Sequence, residues 1–271
     1  MAPWRVAVVG VGRMGQSYAA AYDTYPDTEL VALVDNNAER AAAACAKFSV
    51  PAHFRTVPEM LAAVSPQIVS VITPGAYFRD AVVACAVSPG MEAIQIEKPF
   101  GGPLAACDEM VDACAANDVL FCGGNMQVAM PEVQEMAARV RAGDFGPIRS
   151  ASVHGIAGEY VGGGCQHLAV LARLSGMEVA ECTAWQDPPA GLTLPAIGAV
   201  DAYDGTGQDG SREENGLISV SINGLYTLHG EGGQTIPCPF FADNTGNCKG
   251  VELHFDDALV RWDWAPPVLF V

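Results

Sequence analysis

Gly10-Val11-Gly12-Arg13-Met14-Gly15 forms a G-x-G-x-x-G run close to the amino terminus. It follows the valine-rich apolar run Trp4 to Val9 and opens a helix-like stretch, Met14 to Tyr25. That order, strand then glycine turn then helix, suits a dinucleotide phosphate. Gly10 permits the tight turn, Gly12 lets a pyrophosphate approach the backbone, and Gly15 lets helix and strand pack closely. The helix amino terminus, from Arg13 and Met14, supplies N–H donors to the phosphate charge. Asp35 ends the next apolar run, at the distance where a carboxylate accepts from ribose hydroxyls. A carboxylate there repels a 2′-phosphate, and Asn36 and Asn37 bring no positive charge. The fingerprint therefore favours NAD over NADP.

Glu97-Lys98-Pro99-Phe100 follows a fourth apolar run, Ala93 to Ile96. In an open α/β sheet, ligands bind beyond the carboxyl ends of the strands. A lysine at that rim can donate to a substrate hydroxyl or carbonyl and stabilise developing negative charge. Glu97 could hold the lysine or touch the cofactor. The same four residues also read as a solvated charge pair before a proline turn.

The elements that would position these groups alternate through the first half. Leu30 to Val34, Ile68 to Ile72, Ala93 to Ile96 and Val119 to Cys122 read as buried strands. Between them Ala38 to Phe48, Thr56 to Val64, Arg79 to Val87 and Pro103 to Asn117 read as helices, with Thr56-Val57-Pro58-Glu59 a capping box. Such alternation implies a parallel, doubly wound sheet. A helix from Pro131 to Arg141 follows, and the pattern changes after it. Ile148 to His154 reads as a strand, Gly162-Gly163-Gly164 leads into a helix over His167 to Leu174, and Pro188 to Gly210 reads as a long loop. Leu217 to Ile222, Leu225 to His229, Val251 to Phe255 and Leu259 to Trp264 then read as strands without helices between them. An antiparallel sheet packed beside the first domain is expected. The fold class is thus α/β: a Rossmann domain over 1–122 and an α+β domain on an open, mostly antiparallel sheet over 123–271. Val260, Trp262 and Trp264 alternate along the last strand, as an exposed pairing face or as core.

Composition narrows the function further. Fourteen Lys and Arg stand against 31 Asp and Glu, a formal charge of −17, which disfavours phosphate backbones and anionic lipids. Half of the residues are hydrophobic, enough for a sizeable core, yet no uninterrupted apolar run is long enough to span a bilayer. Gly10, Gly12 and Gly15 interrupt the only early apolar run, unlike a signal peptide. None of the nine cysteines forms a C-x-x-C pair, so no metal is expected and the cysteines read as reduced thiols of a cytoplasmic protein.

Taken together, the glycine fingerprint, Val31 to Arg40, Thr73-Pro74, Glu97-Lys98-Pro99, Gly143 to Ile148 and Gly162-Gly163-Gly164 resemble the glucose–fructose oxidoreductase and inositol dehydrogenase (Gfo/Idh/MocA) family. The resemblance is dense over residues 4 to 176. It implies hydride transfer between nicotinamide and a sugar, cyclitol or related hydroxy compound, with Lys98 orienting the substrate. It also places Thr73 and Pro74 near the cofactor, and Asn125 and Gln166 near the substrate, where His154 and Tyr160 are expected as well, each also an acid/base candidate ranked behind His167. Family chains commonly associate through the second sheet, which implies a homo-oligomer, and they usually run longer than this one.

Departures from the family pattern concern the proton. After the third strand the chain reads Thr73-Pro74-Gly75-Ala76-Tyr77-Phe78, without the family's Asn and His. The family's Arg is missing from Asn125 to Met130. Aligned on Gly164 and Gly176, the family's proton-transfer His falls on Gln166 and its Asp on Ala169, one place from His167. An imidazole at a glycine-rich helix start is a natural proton shuttle, so His167 is the candidate acid/base. The same ring could instead face core or solvent. Two further functions remain consistent with this pattern: an enzyme that retains NAD without net redox change, and a catalytically silent nicotinamide-binding sensor.

Overall fold

The computed structural model describes residues 2–73, 77–98, 100, 103–155, 164–187, 221–241, 250–264 and 267–270. These fall into two compact units, one ending at Gly124 and one beginning at Asn125.

The first unit is a parallel sheet flanked by helices. Its strands are β1 (Trp4–Val9), β2 (Thr28–Val34), β3 (His53–Phe54), β4 (Ile68–Val71), β5 (Ala93–Ile96) and β6 (Leu120–Gly123). Their spatial order is β3-β2-β1-β4-β5-β6, and every pairing is parallel. Helices α1 (Arg13–Thr24), α2 (Ala38–Phe48), α3 (Val57–Ala63), α4 (Phe78–Ala86) and α5 (Leu104–Ala116) connect them. A central parallel strand must be apolar on both faces, and Val6, Ala7 and Val8 have no exposure at all. The Thr56 side chain accepts from the Glu59 N–H, so the capping chemistry read from sequence does open α3. Between β1 and β4 the strand order reverses, which opens the crevice where such sheets bind ligands. The two-residue strand β3 is too short to have left a sequence signal.

The second unit starts with α6 (Met126–Ala129) and α7 (Pro131–Ala142) and continues with β7 (Ser150–His154) and α8 (Cys165–Ser175). Six more strands follow: β8 (Glu178–Asp187), β9 (Ser221–His229), β10 (Thr235–Phe241), β11 (Gly250–His254), β12 (Leu259–Trp264) and β13 (Pro267–Phe270). They join β7 in the order β13-β12-β11-β7-β10-β9-β8. All pairings are antiparallel except β7 with β10. The side chains alternate by face. Ala151, Val153, Val251, Leu253, Val260 and Trp262 join residues of α7 and α8 in one core, whereas Ser152, His154, Glu252, His254 and Arg261 point the other way.

Of the two readings of the last alternating strand, core holds for Val260 and Trp262, at 0% and 1% exposure. Two other sequence expectations need correction. Strand β9 is continuous through Asn223 and Gly224 rather than split, because Gly224 has no Cβ to strike the Thr183 carbonyl of β8 or the Phe240 ring of β10. Strands β8, β10 and β13 were not expected. The prolines of β10 argue against a strand, yet its ladder to β7 is confined to Phe240 and Phe241, beyond both of them. The expected loop from Pro188 to Gly210 lies outside the described residues. No helix among the described residues is long and apolar enough to cross a membrane.

Candidate cofactor and catalytic site

The glycine turn is built by backbone packing. Gly10 leaves β1 at φ +87°, and its N–H donates to the Val34 carbonyl at 2.7 Å, tying the turn to β2. A Cβ on Gly10 would lie 2.6 Å from the Ile72 carbonyl oxygen, and one on Gly15 would collide with the carbonyl oxygen of Gly10. Gly12 is different: nothing lies within 4 Å of where its Cβ would stand. Gly12 is also the N-cap of α1, with no side chain capping it and no acid in the first turn, where Arg13 and Met14 are exposed. The first N–H groups of α1 are thus available to an anion. Beside this turn Thr73 places a buried hydroxyl with no partner among the described residues. A close-packed turn, an open approach at Gly12 and an orphaned buried hydroxyl fit a dinucleotide phosphate and its sugar. Pro74 lies outside the described residues.

Asp35 occupies the end of β2, but its carboxylate is already engaged. Oδ2 accepts from the Val11 N–H at 2.9 Å and from Arg40 Nε at 3.0 Å. Oδ1 accepts from the Asn37 N–H at 2.9 Å and from an Arg40 terminal nitrogen at 2.8 Å. Asn36 is exposed beside it. Sequence reasoning counted no positive charge here and missed Arg40, which reaches back from the first turns of α2. The signal was an arginine five residues beyond the acid, just inside a helix that Asn37 caps. Burial by itself would raise the Asp35 pKa, but the guanidinium and the two backbone N–H groups outweigh it and hold the carboxyl below its usual range. A group depressed in the folded state contributes stability above its unfolded pKa and loses it as pH falls. The stability gap between the wild type and Asp35→Asn is therefore expected to be about 2 kcal/mol at neutral pH. Thermal unfolding across pH should find it closing below about pH 4; a gap independent of pH would contradict this assignment.

Glu97 and Lys98 follow β5, both half-buried. Glu97 Oε2 accepts from the Lys98 backbone N–H at 2.9 Å, and Oε1 accepts from the Tyr18 hydroxyl at 3.0 Å. Tyr18 also accepts from Gln95 Nε2 at 3.0 Å, and Gln95 Oε1 lies 3.3 Å from Ser70 Oγ. Tyr22 closes the chain, 2.8 Å from Ser70 Oγ. Burial, then the neighbouring Glu97 charge, pushes the Tyr18 hydroxyl well above its ordinary range, so it stays protonated. Tyr18 was absent from the sequence reading. Its signal was a pair of tyrosines one turn apart, Tyr18 and Tyr22, on the sheet-facing side of the helix that opens at the glycine turn.

In the second unit the candidates separate. Asn125 caps α6, its Oδ1 accepting from the Gln127 N–H, and its amide donates to the Gln166 carbonyl at 3.1 Å, so it joins α6 to α8. Gln166 and Gln127 are buried. His167, 4% exposed, packs edge-on against Trp262 with ring centroids 5.9 Å apart, on the helix-covered face. His154 lies on the opposite face, 2.9 Å from Ser152 Oγ, 3.7 Å from Glu252 Oε2 and stacked on Phe241. The two histidines are therefore not brought together. Tyr160 lies outside the described residues, and no cluster able to hold a metal occurs among those described.

Comparison with known proteins bears on the first unit most directly. The description "Oxidoreductase family, NAD-binding Rossmann fold" matches residues 4–124. That description is the one carried by the Gfo/Idh/MocA family model. The chain is 29% identical over 140 residues to D-apiose dehydrogenase of Paraburkholderia graminis, covering 52% of this chain and 37% of that protein. It is 30% identical over 148 residues to D-glucoside 3-dehydrogenase of Escherichia coli, covering 54% and 41%. The matches thus span about two fifths of each curated relative. The fold of myo-inositol 2-dehydrogenase from Lactobacillus plantarum superposes with a TM-score of 0.75 at 14% identity, over 96% of this chain and 76% of that one. The chain therefore shares the α/β fold of that dehydrogenase.

Proposed function

We propose that this protein is an NAD-dependent oxidoreductase that moves hydride between nicotinamide and a hydroxyl-bearing carbon of a sugar, cyclitol or related small molecule. The observation that carries the proposal is the presence, at one edge of one sheet, of a dinucleotide cradle and a lysine. Strands β1 and β5 are separated only by β4, so the glycine turn and Lys98 stand roughly 10 Å apart across the sheet. The two curated relatives, both named sugar dehydrogenases, support the substrate class.

Gly10, Gly12, Gly15 and the first turn of α1 would hold the pyrophosphate, with Thr73 beside them. Bound there, nicotinamide supplies a hydride acceptor or donor. Lys98 holds the reacting oxygen and stabilises the negative charge that develops on it as its proton moves. In this reading His167 packs α8 onto Trp262, and Lys98 handles the proton: the ammonium gives it to the carbonyl oxygen on reduction, and the free amine takes it from the hydroxyl on oxidation. The sheet of the second unit, which begins at Asn125, is the surface for self-association.

The proposal takes NAD as the cofactor because Asp35 stands at the ribose end. Arg40 keeps that carboxylate ionised, and a 2′-phosphate would have to break the pair to reach the guanidinium. NADH is expected to bind at least about tenfold more tightly than NADPH in a fluorescence titration. Incubation with NAD and a panel of aldoses, glucosides and cyclitols should yield reduced nicotinamide with at least one of them. Tighter NADPH binding would overturn the cofactor choice. Binding without reduction across the panel would overturn the oxidoreductase reading in favour of a nicotinamide sensor.

A further inference from the structure

Glu97 sits beside a lysine, yet among the described residues no ion pair joins its carboxylate to the Lys98 ammonium. Instead the carboxylate folds back: Oε2 takes the Lys98 backbone N–H at 2.9 Å and Oε1 takes the Tyr18 hydroxyl at 3.0 Å. The Tyr18 hydroxyl has little freedom of its own, because it accepts from Gln95 Nε2 at 3.0 Å while donating to Glu97. Gln95 is fixed in turn by Ser70, and Ser70 by Tyr22. A Cβ on Gly124 would come within 3.6 Å of the Tyr18 oxygen, so the ring tip is roofed at the exit of β6. A carboxylate one residue from an ammonium normally gains by pairing with it. Something must hold this one off.

We propose that Tyr18 is a positioning residue for Lys98: its hydroxyl fastens the Glu97 carboxylate to the Lys98 backbone and keeps it off the Lys98 ammonium. This rests on the reading of Lys98 as the residue that meets the reacting oxygen. An ammonium paired to its neighbour would be turned away from a substrate and held in its charged form. Tyr18 stands in the second turn of α1, the helix that opens at Gly12, so the tether joins the phosphate-binding helix to the lysine turn. The groups facing Tyr18 are Glu97 and Gln95 from the strand ends, Tyr22 from its own helix, and the Cys122 thiol of β6, which burial pushes up.

The chain has three lysines, Lys47, Lys98 and Lys249, which makes a direct test practical. Reductive methylation of the full chain with carbon-13 formaldehyde gives three lysine signals and that of the amino terminus, and Lys98→Arg assigns one of them. In Tyr18→Phe the Lys98 signal is expected to move and its titration midpoint to rise by about half a pH unit or more, as the freed carboxylate pairs the ammonium. Lys47 and Lys249 should not follow. Adding Glu97→Gln to Tyr18→Phe should return the midpoint to the wild-type value, a reversal that a merely structural role of Tyr18 would not produce. An unmoved Lys98 midpoint in Tyr18→Phe, or a shift that survives Glu97→Gln, overturns the proposal. Should Tyr18→Phe not fold, Glu97→Gln alone decides: a midpoint unchanged from wild type supports the tether, and one lower by about a unit means that the carboxylate already pairs the ammonium. The readout needs neither cofactor nor substrate, so its failure is separable from failure of the oxidoreductase reading.

Discussion

Gly15→Ala is expected to lower unfolding stability by about 3 kcal/mol and to abolish NADH binding, whereas Gly12→Ala should leave stability nearly unchanged and still weaken NADH. The two glycines belong to one motif, but their surroundings differ. A Cβ on Gly15 meets the Gly10 carbonyl oxygen, which is backbone and cannot rotate away. Gly10 cannot retreat either, since its own Cβ position is walled by the Ile72 carbonyl and its N–H is tied to Val34. Relief therefore requires α1 to shift from β1, which opens the core around Ala19 and Val8. At Gly12 a methyl group enters free space and meets no protein atom within 4 Å. That space is the approach a pyrophosphate needs, so the methyl is felt only when the cofactor arrives. Chemical denaturation and NADH fluorescence titration of the two variants separate the cases. Equal stability losses would mean that the open space at Gly12 is misjudged, and retained NADH binding in Gly15→Ala would remove the glycine turn from the cofactor site.

That contrast marks what a sequence can carry. The glycine fingerprint and the valine runs were legible because each depends on neighbours in the chain: a positive φ at Gly10, a buried strand before it, a helix after it. The parallel sheet followed from the alternation of these elements. What stayed hidden depends on residues far apart in sequence. Tyr18 and Glu97 meet only because the fold brings a side chain of α1 to the end of β5, and their separation of 79 residues leaves no local pattern. Arg40 was visible as an arginine, but its orientation toward Asp35 is a matter of side-chain rotamer. In the second unit the sequence ranked His167 ahead of His154 but could not say which way either ring faces. Strand alternation and the placement of α8 put His154 with Ser152 and Glu252 on one face and His167 against Trp262 on the other. Strand β10 was hidden for a different reason. Pro237 and Pro239 contradict the usual strand rule, and only the packing of Ile236, Cys238 and Phe240 into the core explains why the chain stays extended there.

Lys98→Ala is expected to cut kcat about 100- to 1,000-fold while leaving NADH affinity within about threefold of wild type. The argument starts from position. Lys98 follows β5 at the carboxyl edge of the sheet, two strands from the glycine turn, where it can meet a substrate without touching the pyrophosphate. Its backbone is pinned by Glu97, and its side chain is half-buried rather than waving in solvent. An ammonium so placed is worth most when charge builds on the reacting oxygen, which is an interaction made mainly in the transition state. Its loss should therefore appear in kcat more than in KM. Lys98→Arg should recover little, because a planar guanidinium cannot reproduce a point donor on a fixed stem. The measurement is steady-state kinetics on whichever sugar or cyclitol reduces NAD, paired with NADH titration of the same variants. A Lys98→Ala enzyme with unchanged kcat would remove Lys98 from the reaction and leave the Glu97-Lys98 segment as a structural turn after β5.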